Sequence, residues 1–265
     1  MSALILLLVG LAVGVTTVLF GFGGGFVTVP VILVVDASRG PDALRIAIAT
    51  SALVMLVNAV VATSTTRRSV LARLRGRQWL FALLAAGGTA GAGAALFVPD
   101  AVPRWGFVAY IGVTVTDLLL RPGFLPGRDA NRRASQPHPR PLPDAWGIPI
   151  GWIAAFLGVG GSVMTVPMMR RAGLEMGVAT SLANPLTVAI AAPALVVASA
   201  FGGSVASAPG LVGTVDVISA VALLAGAIVV IVPLRRRPPR IPNTVHAWTY
   251  LALLVVAATT VAVTG

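Results

Sequence analysis

Eight apolar stretches divide this chain of 265 residues, at about 3–35, 46–66, 78–98, 104–120, 146–169, 177–201, 211–234 and 246–263. A full bilayer span needs about 20 apolar residues, so each stretch reaches across or deep into a membrane. Lipid offers no partner to backbone N–H and C=O groups, which only helices and closed barrels satisfy internally. Charge points the same way. Only 10% of the residues are charged, against about 25% in a soluble domain. With 57% hydrophobic residues and a mean hydropathy of +0.95, the chain cannot cover a water-facing surface. An all-α integral membrane protein is expected. Trp79, Trp105, Trp146 and Trp248 fall near the ends of stretches, where an aromatic belt belongs.

The stretches repeat. Gly14-x6-Gly21-Phe22-Gly23-Gly24-Gly25-x2-Thr28-Val29-Pro30 is answered by Gly151-x6-Gly158-Val159-Gly160-Gly161-Ser162-x2-Thr165-Val166-Pro167, at a constant offset of 137. Ala49-Thr50-Ser51 is answered by Ala179-Thr180-Ser181 at an offset of 130. Two matched blocks in the same order mark a duplication. The expected organisation is a first membrane repeat over 1–120, an Arg/Pro-rich cytoplasmic linker over 121–145, and a second membrane repeat over 146–265. The linker composition is that of a disordered connection. Met1 to Phe20 has the apolar run of a signal peptide without its basic leader or A-x-A site, and is expected to belong to the mature protein.

Arginine placement carries the topology. If all eight stretches cross the membrane, ten arginines fall on one side and nine on the other, against the positive-inside rule. If the two glycine-broken stretches are re-entrant hairpins, sixteen fall on one side and three (Arg39, Arg45, Arg104) on the other. Each half is then a glycine-broken hairpin plus three transmembrane helices. An odd number of crossings makes the halves inverted repeats, with both termini outside. The first leading arm, Ala3 to Phe20, would be about 27 Å long as a helix, so a broken but continuous span is the alternative there.

Glycine runs let the backbone leave the helix at membrane depth, which lipid tolerates only where the backbone lines a cavity or is buried in protein. The segments after Gly25 and Ser162 then start short helices whose free N–H groups and positive dipole ends favour an anion. The candidate substrate-binding residues are Gly23, Gly24, Gly25, Thr28, Thr50 and Ser51 in the first half. Gly160, Gly161, Ser162, Thr165, Thr180, Ser181 and Asn184 complete the set in the second. Hydroxyls and amides donate to oxyanions without the cost of burying a charge; their bland alternative is bonding to their own helix's carbonyls. Asn58 adds a second amide within a span. Gly10-x3-Gly14 and Gly87-x3-Gly91 read instead as close helix packing.

Other chemistries are disfavoured. There is no cysteine, hence no thiolate site or thiol relay. Asp36, Asp42, Asp100, Asp129, Asp144 and Glu175 lie in loops or at span ends, Asp216 near a span start, and Asp117 is placed to pair with Arg121 at i,i+4. With no central acid, a proton relay is not expected. His138 and His246 look like neither ligands nor bases. No nucleophile–base pair and no metal site stands out, so neither an enzyme nor a cofactor is expected. The net charge of +11 comes from arginines in short loops, the pattern of topology signals and anionic-lipid contacts rather than nucleic-acid binding. The absence of lysine suggests a GC-rich prokaryotic genome, and so a multi-pass protein of the prokaryotic plasma membrane.

The doubled motif, with Ala49-Thr50-Ser51 and Gly177-Val178-Ala179-Thr180-Ser181-Leu182, resembles the TauE/SafE sulfite exporter family over essentially the whole chain. Ser162 departs from the family's last glycine, and Ala52 stands where the second copy has Leu182. The resemblance implies duplicated membrane modules and transport of sulfite, organosulfonates or related small anions. A secondary transporter is therefore the leading expectation, with an anion channel or small-carboxylate permease of the same architecture, and a non-transporting scaffold, as alternatives.

Overall fold

A computed structural model describes residues 3–36, 40, 42–121, 142–201, 210–237, 239 and 241–263. Most of the expected 121–145 linker lies outside the described residues. The fold is helical: α1 (Ala3–Phe20), α2 (Gly25–Val35), α3 (Ala43–Ser64), a short α4 (Arg68–Leu71), α5 (Gln78–Ala95) and α6 (Ala101–Leu120) come first. They are followed by α7 (Gly147–Phe156), α8 (Ser162–Arg171), α9 (Met176–Phe201), α10 (Val217–Arg236) and α11 (Asn243–Val263). A two-residue antiparallel pair, Leu211–Val212 with Val215–Asp216, leads into α10. Among the described residues four helices, α3, α9, α10 and α11, are long and apolar enough to cross a membrane by length and composition.

Both glycine-broken segments fold back on themselves. Val9 of α1 shares a groove with Val27, Val31 and Val34 of α2, so α2 returns alongside α1. In the second half Ile150 of α7 packs in one apolar cluster with Met164 and Met168 of α8. Neither broken segment runs on as one continuous helix.

The leading arms then cross over. α1 packs along α10 of the other half, and α7 packs along α5. Small residues make this approach close: a Cβ at Gly10 would collide with the Leu223 carbonyl, and one at Gly14 would sit 2.6 Å from the Ala227 oxygen. At the matching seam, Gly87 lies against the Ile148 carbonyl and Gly91 against that of Trp152. Between helices in lipid there is no hydrophobic driving force, so such backbone approach supplies the attraction. The two glycine pairs read from sequence as packing residues do pack. The first glycine of each repeated motif, Gly14 and Gly151, also belongs to these seams.

The centre is the crossing of α3 and α9. Arg45 and Ile48 at the start of α3 share a cavity with Ala194 and Ala198 at the end of α9, so the two helices run in opposite senses. One end of the bundle gathers Arg77 with Asp144 and Arg171 with Asp117. Asp117 also meets Arg121 at 3.1 Å, the i,i+4 contact its spacing predicts. The other end holds the Arg45–Asp100 pair and Arg104, which donates to the last carbonyls of α11.

The seams make a stability prediction. Gly91→Ala drives a methyl into the Trp152 carbonyl and should cost about 1–3 kcal/mol as overpacking. Gly93→Ala, two residues on and facing nothing within 4 Å, should be neutral or stabilise the helix by up to about 1 kcal/mol. Thermal unfolding in detergent measures both; equal midpoints for the two variants would refute the packing role.

Candidate functional site

The first break holds Gly21, Gly23 and Gly24 at φ of +73°, +63° and +94°, and the second holds Gly158 at φ +68°. These left-handed angles end α1 and α7 where only glycine is unstrained. Gly160 and Gly161 serve a different need, which is closeness. A Cβ at Gly160 would lie 2.8 Å from the Phe22 carbonyl oxygen, so the two breaks touch each other. Gly161 faces Ile190 of α9. Ser162 starts α8 with no need of a positive φ, which is why a serine serves there.

Ser51 ties the crossing together. Its hydroxyl is fully buried on α3 and lies 3.3 Å from the Gly25 carbonyl and 3.2 Å from the Gly158 carbonyl. One hydroxyl, with its single donor shared between two acceptors, thus bridges backbone from both breaks.

Around this crossing sits a set of buried polar side chains. Asn58 is fully buried, and both its Nδ2 and Oδ1 lack a hydrogen-bond partner among the described residues. The same holds for the hydroxyls of Ser162, Thr165 and Thr187 and for Oδ1 of Asn184. Asn58 abuts Gly24, Thr187 abuts Gly23, and Ser162 abuts Gly160. Burying a polar group unpaired costs about 1–3 kcal/mol each, and native interiors keep such groups rare. Several at one point mark a place built for something else to complete. The N-termini of α2 and α8, at Gly25 and Ser162, open into the same region.

The remaining sequence-selected residues are turned to other work. Thr28 donates back to Gly24 O at 2.9 Å, and Thr180 back to Gly177 O at 3.2 Å. Thr50 accepts from the Asp216 N–H at 2.9 Å, anchoring the strand pair, while Asp216 itself caps α10 through Ser219 N. Ser181 donates to Gly177 O and accepts from Arg235 at 2.7 Å, and the other terminal nitrogen of Arg235 reaches the Thr17 carbonyl at 3.5 Å, beside the start of the first break. Asn184 donates to Thr180 O, leaving only its carbonyl oxygen unpartnered. Gly23, Gly24, Gly25, Ser51, Gly160, Gly161 and Ser162 are the candidates that converge, with Thr165 buried one turn into α8 from Ser162.

Two residues were not among those candidates. Thr187 lays its methyl group against Gly23 of the first break, and Met55 lays its sulfur against Gly25 while also lining a cavity. That cavity, about 50 Å³, runs from Arg45 and Asp100 at its mouth to Gly158 and Ile190 at its floor. Its walls are mostly alanine and other apolar side chains. Met55 therefore stands between an outward path and the polar crossing. Burial pushes the Asp100 carboxyl above the usual carboxylate range, with Arg45 opposing the shift. On the far side of the first break an aromatic cluster, Phe20, Phe22, Phe26 and Tyr250, fills the space, and Tyr250 donates to Val163 O of α8.

No cluster of three or more His, Cys, Asp or Glu side chains able to hold a metal occurs among the described residues. The arrangement is a buried cluster of hydroxyls and amides beside two helix N-termini. It is suited to a small anion stripped of water.

In comparison with known proteins, the family model described as Sulfite exporter TauE/SafE aligns with residues 6–261. No curated protein and no solved structure matches the chain.

The unpartnered amide makes a prediction that separates function from stability. Asn58→Leu removes a buried, unsatisfied group and should raise stability without ligand by about 1–3 kcal/mol. The same variant should also abolish a thermal shift by sulfite, which the unmodified protein is expected to show if Asn58 lies in an anion site. A destabilised variant, or an undiminished sulfite shift, would contradict this reading of Asn58.

Proposed function

The chain belongs to the TauE/SafE sulfite exporter family, and from that premise we propose that it is a secondary carrier of a small sulfur-containing anion, sulfite or an organosulfonate. The observation that carries the proposal is the set of buried polar groups without partners at the crossing of the two glycine breaks. The substrate site comprises Asn58, Thr187, Ser162 and Thr165, framed by Gly23–Gly25 and Gly160–Gly161, with Ser51 holding the frame. The anion takes the place of the missing partners, and the helix N-termini favour its charge.

The halves are proposed to be inverted repeats of the prokaryotic plasma membrane. Support comes from the opposite senses of α3 and α9, from the return of α2 and α8 along their arms, and from the arginine distribution. In this reading 1–120 and 146–265 are the two membrane repeats, and the intervening arginines face the cytoplasm and its anionic lipids. The cavity at Arg45 and Asp100 then opens outward, with Met55 as the inner barrier. A crossing closed off by packed side chains favours a carrier over a channel, because an open pore would need a continuous wet path.

Proteoliposome flux of labelled sulfite tests the proposal. Saturable uptake that is accelerated by sulfite on the opposite side is expected, and Thr187→Val should lower it about tenfold or more as one oxyanion hydrogen bond is lost. Non-saturating flux would identify a channel instead. Deleting 128–140 should leave uptake largely intact, whereas a docking scaffold would lose its function.

The absence of cysteine makes topology directly testable. A single cysteine at Arg73 should be labelled only from the cytoplasmic side and one at Pro99 only from outside. Labelling of both from the same side would overturn the inverted arrangement.

A further inference from the structure

The cavity that leads to the crossing is lined mainly by apolar side chains, and an apolar wall gives an anion no reason to enter. Its mouth is different. Arg45, in the first turn of α3, and Asp100, at the head of α6, both line it, with Nε and Oδ1 3.6 Å apart. The pair is long and wet, with the two side chains 45% and 31% exposed. Exposed pairs of this kind contribute little. Among the described residues that line this cavity, Arg45 is the only cation. Arg104, the next arginine at this end, is engaged with the Val261 and Ala262 carbonyls at 3.3 and 3.2 Å.

We propose that Arg45 forms an outer anion-binding site at the mouth of this cavity, for a small singly or doubly charged oxyanion, with Asp100 as a built-in competitor for its guanidinium. The substrate class rests on the carrier reading above; the site itself rests on the geometry of the mouth. A guanidinium holds sulfonate or sulfite oxygens through paired N–H donors, which a point charge does less well. An anion that displaces Asp100 gains those bonds and leaves the carboxylate facing water. The anion is then held at the cavity mouth, on the route toward Met55 and Gly158, without a charge having to be buried at the centre.

The competitor is pH-sensitive. Burial raises the Asp100 carboxyl, Arg45 opposes the shift, and Asp42 adds to it. As pH falls, Asp100 is neutralised earlier than an ordinary carboxylate, Arg45 loses its internal partner, and an external anion should bind more tightly.

Methanesulfonate, which keeps one charge throughout the range, isolates this effect from titration of the ligand. Calorimetric titration of the full chain in detergent, at mildly acidic and mildly alkaline pH, should show tighter binding at acidic pH. Arg45→Gln should weaken binding about tenfold, and Arg45→Lys should recover part of it. Asp100→Asn should bind at alkaline pH at least as tightly as the unmodified protein does in acid. Unchanged affinity in Arg45→Gln overturns the proposal, as does an Asp100→Asn variant no tighter than the unmodified protein at alkaline pH. Failure of the unmodified protein to bind methanesulfonate overturns it too. Flux is scored separately: the expected binding pattern without any flux would overturn the carrier reading and leave the outer site standing.

Discussion

Unpaired backbone at membrane depth is the constraint on which everything else in this protein depends. Two chain breaks near the middle of a helical bundle expose carbonyl and amide groups that lipid cannot satisfy. The protein buries the breaks against each other, with Gly160 in close contact with the Phe22 carbonyl, and places the Ser51 hydroxyl between the Gly25 and Gly158 carbonyls. A site assembled this way lies between the halves and cannot exist in either alone. That is the location alternating access requires, since a shift of one half against the other changes which side can reach it.

The seams that hold the bundle together are close backbone contacts made possible by glycine. α1 against α10 and α5 against α7 meet through glycine on backbone, flanked by packed side chains such as Leu6 and Val13 with Leu223, and Leu84 with Ile150. Each arm is gripped by the opposite half, so relative motion of the halves must carry the breaks with it. Arg235 links the end of α10 to Ser181 on α9, and Arg171 links α8 to Asp117 on α6. These contacts lie at the arginine-rich end, opposite the open cavity.

The helical membrane class and the two breaks were legible in the sequence because apolar length and glycine runs are written in residue classes. The site was legible only in part. Repeat matching selected Thr50 with Thr180 and Ser51 with Ser181, yet only Ser51 reaches the crossing; Thr50 serves the strand pair and Ser181 meets Arg235. The reason is that a binding site between two halves need not be symmetric. At the 130-residue offset Asn58 pairs with Val188, and Thr187 with Val57, so the strongest donors have no counterpart for the repeat to reveal. Met55 gave no signal either, because an apolar side chain in a span looks like any other until the neighbour it covers is known. Ser162, a departure from the glycine run, proves compatible with the local helix start.

The central claim is that an anion completes the unpartnered groups at the crossing. Crystals grown with selenite, an anomalous scatterer of sulfite's shape and charge, test it most directly. The account predicts an anomalous peak within hydrogen-bond reach of Asn58 and Thr187, between the two breaks. Selenite that is transported yet gives no peak there, with its density confined elsewhere in the bundle, would contradict it.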